Sequence, residues 1–219
     1  EIVSRRVEGD IHRYTYRDLA VRSRRMAKAM AALGVAFGQR VGTLAWNGYR
    51  HMELYYGVSG SGAVLHTINP RLHPEQIAYI ANHAEDHYLF FDLTFLPVIE
   101  AVAAHCKTVK AFILMADRDR MPANTAIPHL LCYEELLASS SPDYEWPLFD
   151  ENSAASLCYT SGTTGNPKGV LYNHRSTVLH CYGLSLVDGA ARVYDPIVRG
   201  ETGEDLCGVY LKDYAPSPW

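Results

Sequence analysis

Arg40-Val-Gly-Thr-Leu-Ala-Trp-Asn47, Tyr49-Arg-His-Met-Glu-Leu-Tyr-Tyr-Gly-Val-Ser-Gly60 and Ala63-Val-Leu-His-Thr-Ile-Asn69 follow one another with only short joints between them. The outer two are short apolar runs bounded by turn residues and read as strands. The middle one has helical length. Strand, helix and strand in that order require a crossover, so the two strands lie parallel. The pattern then repeats. Pro74–His83 reads as a helix with proline in its first turn, Tyr88–Asp92 as a buried strand, Phe95–Ala104 as a helix and Lys110–Ala116 as a strand. The expected fold class is α/β, layered, with largely parallel sheets and flanking helices.

Outward from this block, Thr15 reads as an N-cap with Asp18 three residues on. The helix it opens runs from Tyr16 to a stop at Gly34. Leu19, Met26, Met30 and Leu33 form its core stripe, and Arg22, Arg24, Arg25 and Lys28 its solvated face. Met121–Pro128 is irregular and Tyr133–Ala138 a short helix. Ser139–Glu151, rich in serine, proline and acids, reads as a joint between two substructures. Ala154–Tyr159 is a buried strand. Asn173–Val187 is a helix capped by Asn173, with Val178, Leu179 and Tyr182 on its packed side. The expected organisation is therefore a first α/β subdomain over residues 1–150, a strand, loop and helix opening a second over 151–190, and a tail over 191–219. The tail's prolines and glycines predict little regular structure. Whether residues are missing between Ala190 and Ala191 stays open.

The 219 residues are 48% apolar and 20% charged, ordinary values for a globular protein, with a formal net charge of −4. No basic block is present, which argues against nucleic acid as a partner. No apolar run approaches the length of a membrane span. Glu1–Asp10 is charged and polar, unlike a signal peptide. The five cysteines, Cys106, Cys132, Cys158, Cys181 and Cys207, form no C-x-x-C pair. Reduced thiols and a cytoplasmic location are expected.

The chemistry concentrates in Tyr159-Thr-Ser-Gly-Thr-Thr-Gly-Asn-Pro-Lys-Gly-Val170. Gly162 and Gly165 allow successive N–H groups to turn toward one centre. Thr160, Ser161, Thr163 and Thr164 add rotatable donors, and Lys168 adds a mobile positive charge. A polyphosphate needs that combination. It is not a Walker A loop, because Lys168 follows Pro167 and precedes Gly169. A strand, this loop and a following helix is the expected setting.

Other constellations are weaker. Gly57-Val-Ser-Gly-Ser-Gly62 fails the G-x-G-x-x-G spacing and lies at a helix end rather than a start. It also fails G-x-S-x-G. His83 and His87 stand four apart and could share a helix face for zinc, but no third ligand presents itself, and a surface helix end is the simpler reading. His51, His66 and His73 carry no independent signal.

The stretch Tyr159–Val170 resembles the phosphate-binding signature of the adenylate-forming superfamily, and the likeness extends over roughly residues 10 to 187. "Tyr-Thr-Tyr-Arg-Asp-Leu", "Val-Gly-Thr-Leu-Ala-Trp-Asn" and "Gly-Ala-Val-Leu-His-Thr-Ile-Asn-Pro-Arg-Leu" are similar to segments of bacterial fatty-acyl-CoA synthetases. The resemblance implies an ATP-dependent ligase that activates a fatty or related carboxylic acid through an acyl-adenylate and passes the acyl group to coenzyme A. It implies that Thr160, Ser161, Gly162, Thr163, Thr164, Gly165 and Lys168 hold the β- and γ-phosphates, and that Thr160 also reaches Mg2+. No catalytic residue is assigned.

The departures from the family are large. No Phe-His dipeptide, Tyr-Gly-x-Thr-Glu segment or ribose-binding Thr-Gly-Asp is present. The chain is therefore expected to be a truncated portion of a longer ligase, inactive by itself. Homo-oligomerisation or a completing chain is expected to cover the exposed sheet. A non-catalytic module that binds nucleotide or a partner, and a related enzyme adenylating aryl or amino acids, remain as alternatives.

Overall fold

A computed structural model describes residues 1–160 and 167–198, with side chains through residue 186. The chain divides into two compact units, Glu1–His174 and Arg175 onward.

The first unit opens with a hairpin of β1 (Ile2–Arg5) and β2 (Ile11–Tyr14), followed by α1 (Tyr16–Ala32). Alternation then sets in as β3 (Arg40–Leu44), α2 (Tyr49–Gly60), β4 (Val64–Thr67), α3 (Pro74–His83), β5 (Asp86–Asp92), α4 (Leu96–Val102) and β6 (Ala111–Met115). β7 (Leu130–Cys132), α5 (Tyr133–Ala138), β8 (Ala154–Thr160) and β9 (Lys168–Asn173) complete it. One seven-stranded sheet runs in the order β7-β6-β5-β3-β4-β8-β9. Every neighbouring pair is parallel except β8 with β9, which is antiparallel.

Both faces of this sheet are covered, as parallel strands require, and the period of two along each strand divides the core. Leu89 and Phe91 of β5 with Phe112 and Leu114 of β6 pack against Ile77, Ile80 and Ile99 of α3 and α4. Tyr88, Phe90 and Ile113 point the other way, onto Met26, Met30, Leu54 and Val58 of α1 and α2 and Tyr133 of α5. The expected α/β layered fold is thus the observed one.

Local signals place the boundaries of α1. The Thr15 hydroxyl accepts from the Asp18 N–H at 3.2 Å, and the Asp18 carboxylate accepts the Thr15 N–H at 2.9 Å, a closed capping box. At the other end Gly34 takes φ +78°. Val35 N–H then reaches Met30 O and Gly34 N–H reaches Ala31 O, each at 3.0 Å, a Schellman motif that only a left-handed residue allows.

Two expectations about charged and apolar faces are corrected. Arg22 is not on a solvated face. Its Nε donates to Glu53 at 2.6 Å, and Glu53 is fully buried. Arg25 donates to the carbonyls of Leu137 and Ser140. The helix α5 and the chain after it pack onto that side of α1 and supply acceptors that spacing along α1 could not reveal. Arg50, which gave no sequence signal, binds Glu8, Asp117, Glu134 and the Met115 carbonyl and ties the β1–β2 hairpin to the sheet.

Before the second unit begins, His174 opens α6 (His174–Val198). This helix continues past the expected end at Val187 and into the segment expected to be irregular. Val178, Leu179 and Tyr182, expected on a packed side, are 52%, 55% and 65% exposed. Periodicity located an apolar stripe but could not show what covers it. The rest of the expected tail, residues 199–219, lies outside the described residues.

Candidate functional site: the rim above β8 and β9

Because β3 through β8 run parallel, their carboxyl ends form one rim, the side on which α/β sheets hold ligands. The register pairs Leu65, His66 and Thr67 of β4 with Ser156, Leu157 and Cys158 of β8. β4 stops there. Tyr159 and Thr160 continue past it by about 7 Å at the usual rise of a strand, paired only with Gly169 and Lys168 of β9.

The glycine- and hydroxyl-rich loop therefore joins two antiparallel strands. This corrects the expected setting of strand, loop and helix. β9 intervenes because Lys168–Asn173 pairs along the whole length of β8, and α6 begins only after it.

At the base of the loop the structure brings together two of the expected site residues. Thr160 and Lys168 face one another, both exposed, with the Thr160 hydroxyl 3.5 Å from the Lys168 carbonyl. The Lys168 ammonium has no ion-pair partner among the described residues. Ser161, Gly162, Thr163, Thr164 and Gly165 lie outside the described residues.

Thr160 offers a neutral oxygen, and no cluster of three metal-ligating side chains occurs among the described residues. Mg2+ prefers several oxygens, commonly from substrate phosphates. The residues here suit a single ligand to an ion carried by phosphate, not a protein cage. The zinc pair is likewise absent. His83 ends α3, Glu85 turns through φ +54°, and His87 already belongs to β5, so the two histidines never share a helix face.

Two contacts around this rim had no sequence signal. His83 Nδ1 lies 2.6 Å from the Tyr159 hydroxyl, bridging α3 to β8 across 76 residues of chain. Asp92, at the end of β5, accepts the Trp46 N–H at 2.7 Å, and burial pushes its carboxyl up to about 6. Neither partner can be inferred from spacing, since each pair meets only through the sheet order.

Residues 2–201 match the AMP-binding enzyme family. The chain belongs to that family. This AMP-binding chain is 53% identical over 188 residues to a 3-methylmercaptopropionyl-CoA ligase of Ruegeria lacuscaerulensis, covering 86% of this chain and 35% of the relative. It is 49% identical to a medium-chain-fatty-acid–CoA ligase of Ectopseudomonas oleovorans, covering 86% of this chain and 34% of the relative. The chain thus spans about a third of the length of the curated relatives it matches. Among solved structures, the anthranilate-CoA ligase AuaEII in complex with anthranoyl-AMP superposes with a TM-score of 0.69 at 25% identity, over 75% of this chain and 30% of the other. The N-terminal domain of FACL13 from Mycobacterium tuberculosis superposes with a TM-score of 0.59 at 28% identity, over 74% of this chain and 38% of the other. No helix among the described residues is long and apolar enough to cross a membrane.

Proposed function

We propose that this AMP-binding chain carries the nucleotide-phosphate subsite of an ATP-dependent acyl-CoA ligase acting on a fatty or related carboxylic acid. The observation that carries the reading is the hairpin at the carboxyl rim, where Lys168, without an ion-pair partner among the described residues, stands opposite Thr160 at the base of the loop. In this reading Thr160 and Lys168, with Ser161, Gly162, Thr163, Thr164 and Gly165 between them, bind the β- and γ-phosphates. The substrate carboxylate attacks the α-phosphorus of ATP, and the bond to the bridging oxygen of pyrophosphate breaks. Coenzyme A thiol then attacks the adenylate carbonyl and releases AMP. The chain's contribution is to orient the phosphates and offset their charge, which supplies most of the catalysis in phosphate transfer of this kind. Mg2+ would add charge neutralisation, with Thr160 as its ligand from this chain.

Taken alone, the 219 residues are proposed to bind nucleotide without turning it over, a reading favoured by the third of a ligase's length that they match. The test is acid-dependent pyrophosphate release by the complete protein with short, medium and long aliphatic acids and an aryl acid. Lys168→Ala should raise the KM for ATP about ten- to a hundredfold, the range of a lost hydrogen bond to a charged group. The KM for the acid should stay put. Absence of pyrophosphate release with every acid refutes the ligase, and an unchanged ATP KM refutes the phosphate role of Lys168.

A further inference from the structure

Beneath the rim lies a polar pair that the proposed reaction does not use. His66 on β4 and Asp86 at the start of β5 are both fully buried, with Nδ1 of His66 2.8 Å from Oδ2 of Asp86 and 3.0 Å from Oδ1. β3 runs between these two strands. The carboxylate crosses it at Gly42, where an added Cβ would come within 2.7 Å of Oδ2, so glycine opens the path. Burial pushes the Asp86 carboxyl up, and the His66 hydrogen bond is the largest opposing pull. Burying such a pair is costly, and an apolar pair of equal volume would often be at least as stable. Stability alone therefore gives no account of it.

Its placement does. The His66 ring lies against the ring of Tyr159, with centroids 5.1 Å apart and planes inclined at 49°. Tyr159 is held from another side through its hydroxyl by His83 at 2.6 Å. Gly169, opposite Tyr159 on β9, has no side chain, and an added Cβ would sit 3.3 Å from the phenol ring. All of this occurs where β8 has outrun β4 and has lost its strand neighbour on that side. Backbone pairing holds the strand there on one side only, through β9, and side-chain contacts support the other side.

We propose that the buried His66–Asp86 pair is a positioning element for the phosphate subsite, acting through the Tyr159 ring to hold the end of β8 from which Thr160 projects. The inference rests on the phosphate reading of Thr160 and Lys168. Asp86 orients the imidazole, the imidazole backs the phenol, and the phenol sets the strand end. His66 and Asp86 touch no substrate in this scheme.

The test is a double-mutant cycle in the complete protein between His66→Asn, which keeps a donor for Asp86 but removes the ring, and Tyr159→Leu. An aromatic contact of this kind corresponds to about a two- to tenfold change in an equilibrium. His66→Asn should raise the KM for ATP by that factor, leave the KM for the acid unmoved, and have no further effect when Tyr159 is already leucine. Asp86→Asn, which can still accept the imidazole N–H, should keep near-normal values. Without nucleotide, tryptic cleavage after Lys168 should accelerate by the same factor in His66→Asn, with cleavage after the exposed Lys107 unchanged as the internal standard. Additive effects, or an unchanged ATP KM together with unchanged cleavage after Lys168, overturn the proposal. If Lys168→Ala itself leaves the ATP KM unchanged, the phosphate reading has failed. The cleavage comparison then decides the positioning role alone, supporting it if faster and overturning it if not.

Discussion

Replacing Arg22 with methionine should destabilise the fold, and by an amount that depends on pH. The Glu53 carboxylate is fully buried and has two partners, Arg22 Nε at 2.6 Å and the Tyr133 hydroxyl at 2.7 Å. Burial pushes its pKa above the ordinary 4.5, and Arg22 is the main opposing influence. Removing one member of a buried pair costs about 3–5 kcal/mol, because the other charge is left without compensation. The Arg22 side chain keeps 24% of its exposure and Tyr133 still donates, so the lower end, about 3 kcal/mol, is expected. For a chain of this size that lowers Tm by about 6–12 °C. The sign with pH follows from linkage. In the variant, Glu53 binds its proton more tightly folded than unfolded. The deficit is therefore largest at high pH, shrinks as pH falls and the variant's folded Glu53 takes up its proton, and levels off once the wild-type Glu53, itself raised above the ordinary value, is protonated too. Urea unfolding at pH 8 and pH 5 measures it. Arg22→Met combined with Glu53→Leu should recover most of the loss at pH 8. A deficit under about 1 kcal/mol, or one equal at both pH values, would show that the contact is a surface ion pair and refute the reasoning.

Thr15→Ala opens the capping box of α1 and should cost about 1 kcal/mol in the same urea titration, while Thr15→Asn, at least as good an N-cap, should leave stability unchanged. Cys106 is 4% exposed and burial pushes its thiol up to about 11. It should therefore resist alkylation at pH 8 while the exposed Cys181 reacts; mass mapping of labelled peptides distinguishes them, and equal labelling in the native protein would contradict the burial of Cys106.

Helices were the most legible part of the fold. Tyr49–Gly60, Pro74–His83 and Tyr133–Ala138 stand where the sequence places them, because proline, glycine and an apolar period of 3.6 act within a few residues of each other. The capping box at Thr15 and the left-handed Gly34 were readable for the same reason. Short strands were not. β1, β2 and β7 have three or four residues each, too few for alternation to stand out against the charged residues around them. β9 was hidden by its neighbours, since the loop signal runs through Val170 and leaves only Leu171 and Tyr172 before the expected helix cap at Asn173. Arg22, Arg50, His66 and Asp86 were illegible on different grounds. Each is defined by a partner 20 or more residues away, and the sheet order β5-β3-β4 is what brings His66 and Asp86 together.

The hairpin setting also changes what can offset a phosphate's charge. His174, where α6 begins, lies at the far end of β9 from Lys168, six strand residues away, which is about 20 Å at a strand's rise. The field of a helix start falls off within about one turn, far short of that distance. In the proposed reading Lys168, together with Mg2+, would offset the charge of the phosphates. That reading separates two substitutions. Lys168→Arg keeps the positive charge, and its planar fork can still meet a phosphate. Lys168→Gln keeps a donor but removes the charge, so it should raise the KM for ATP more than Lys168→Arg does.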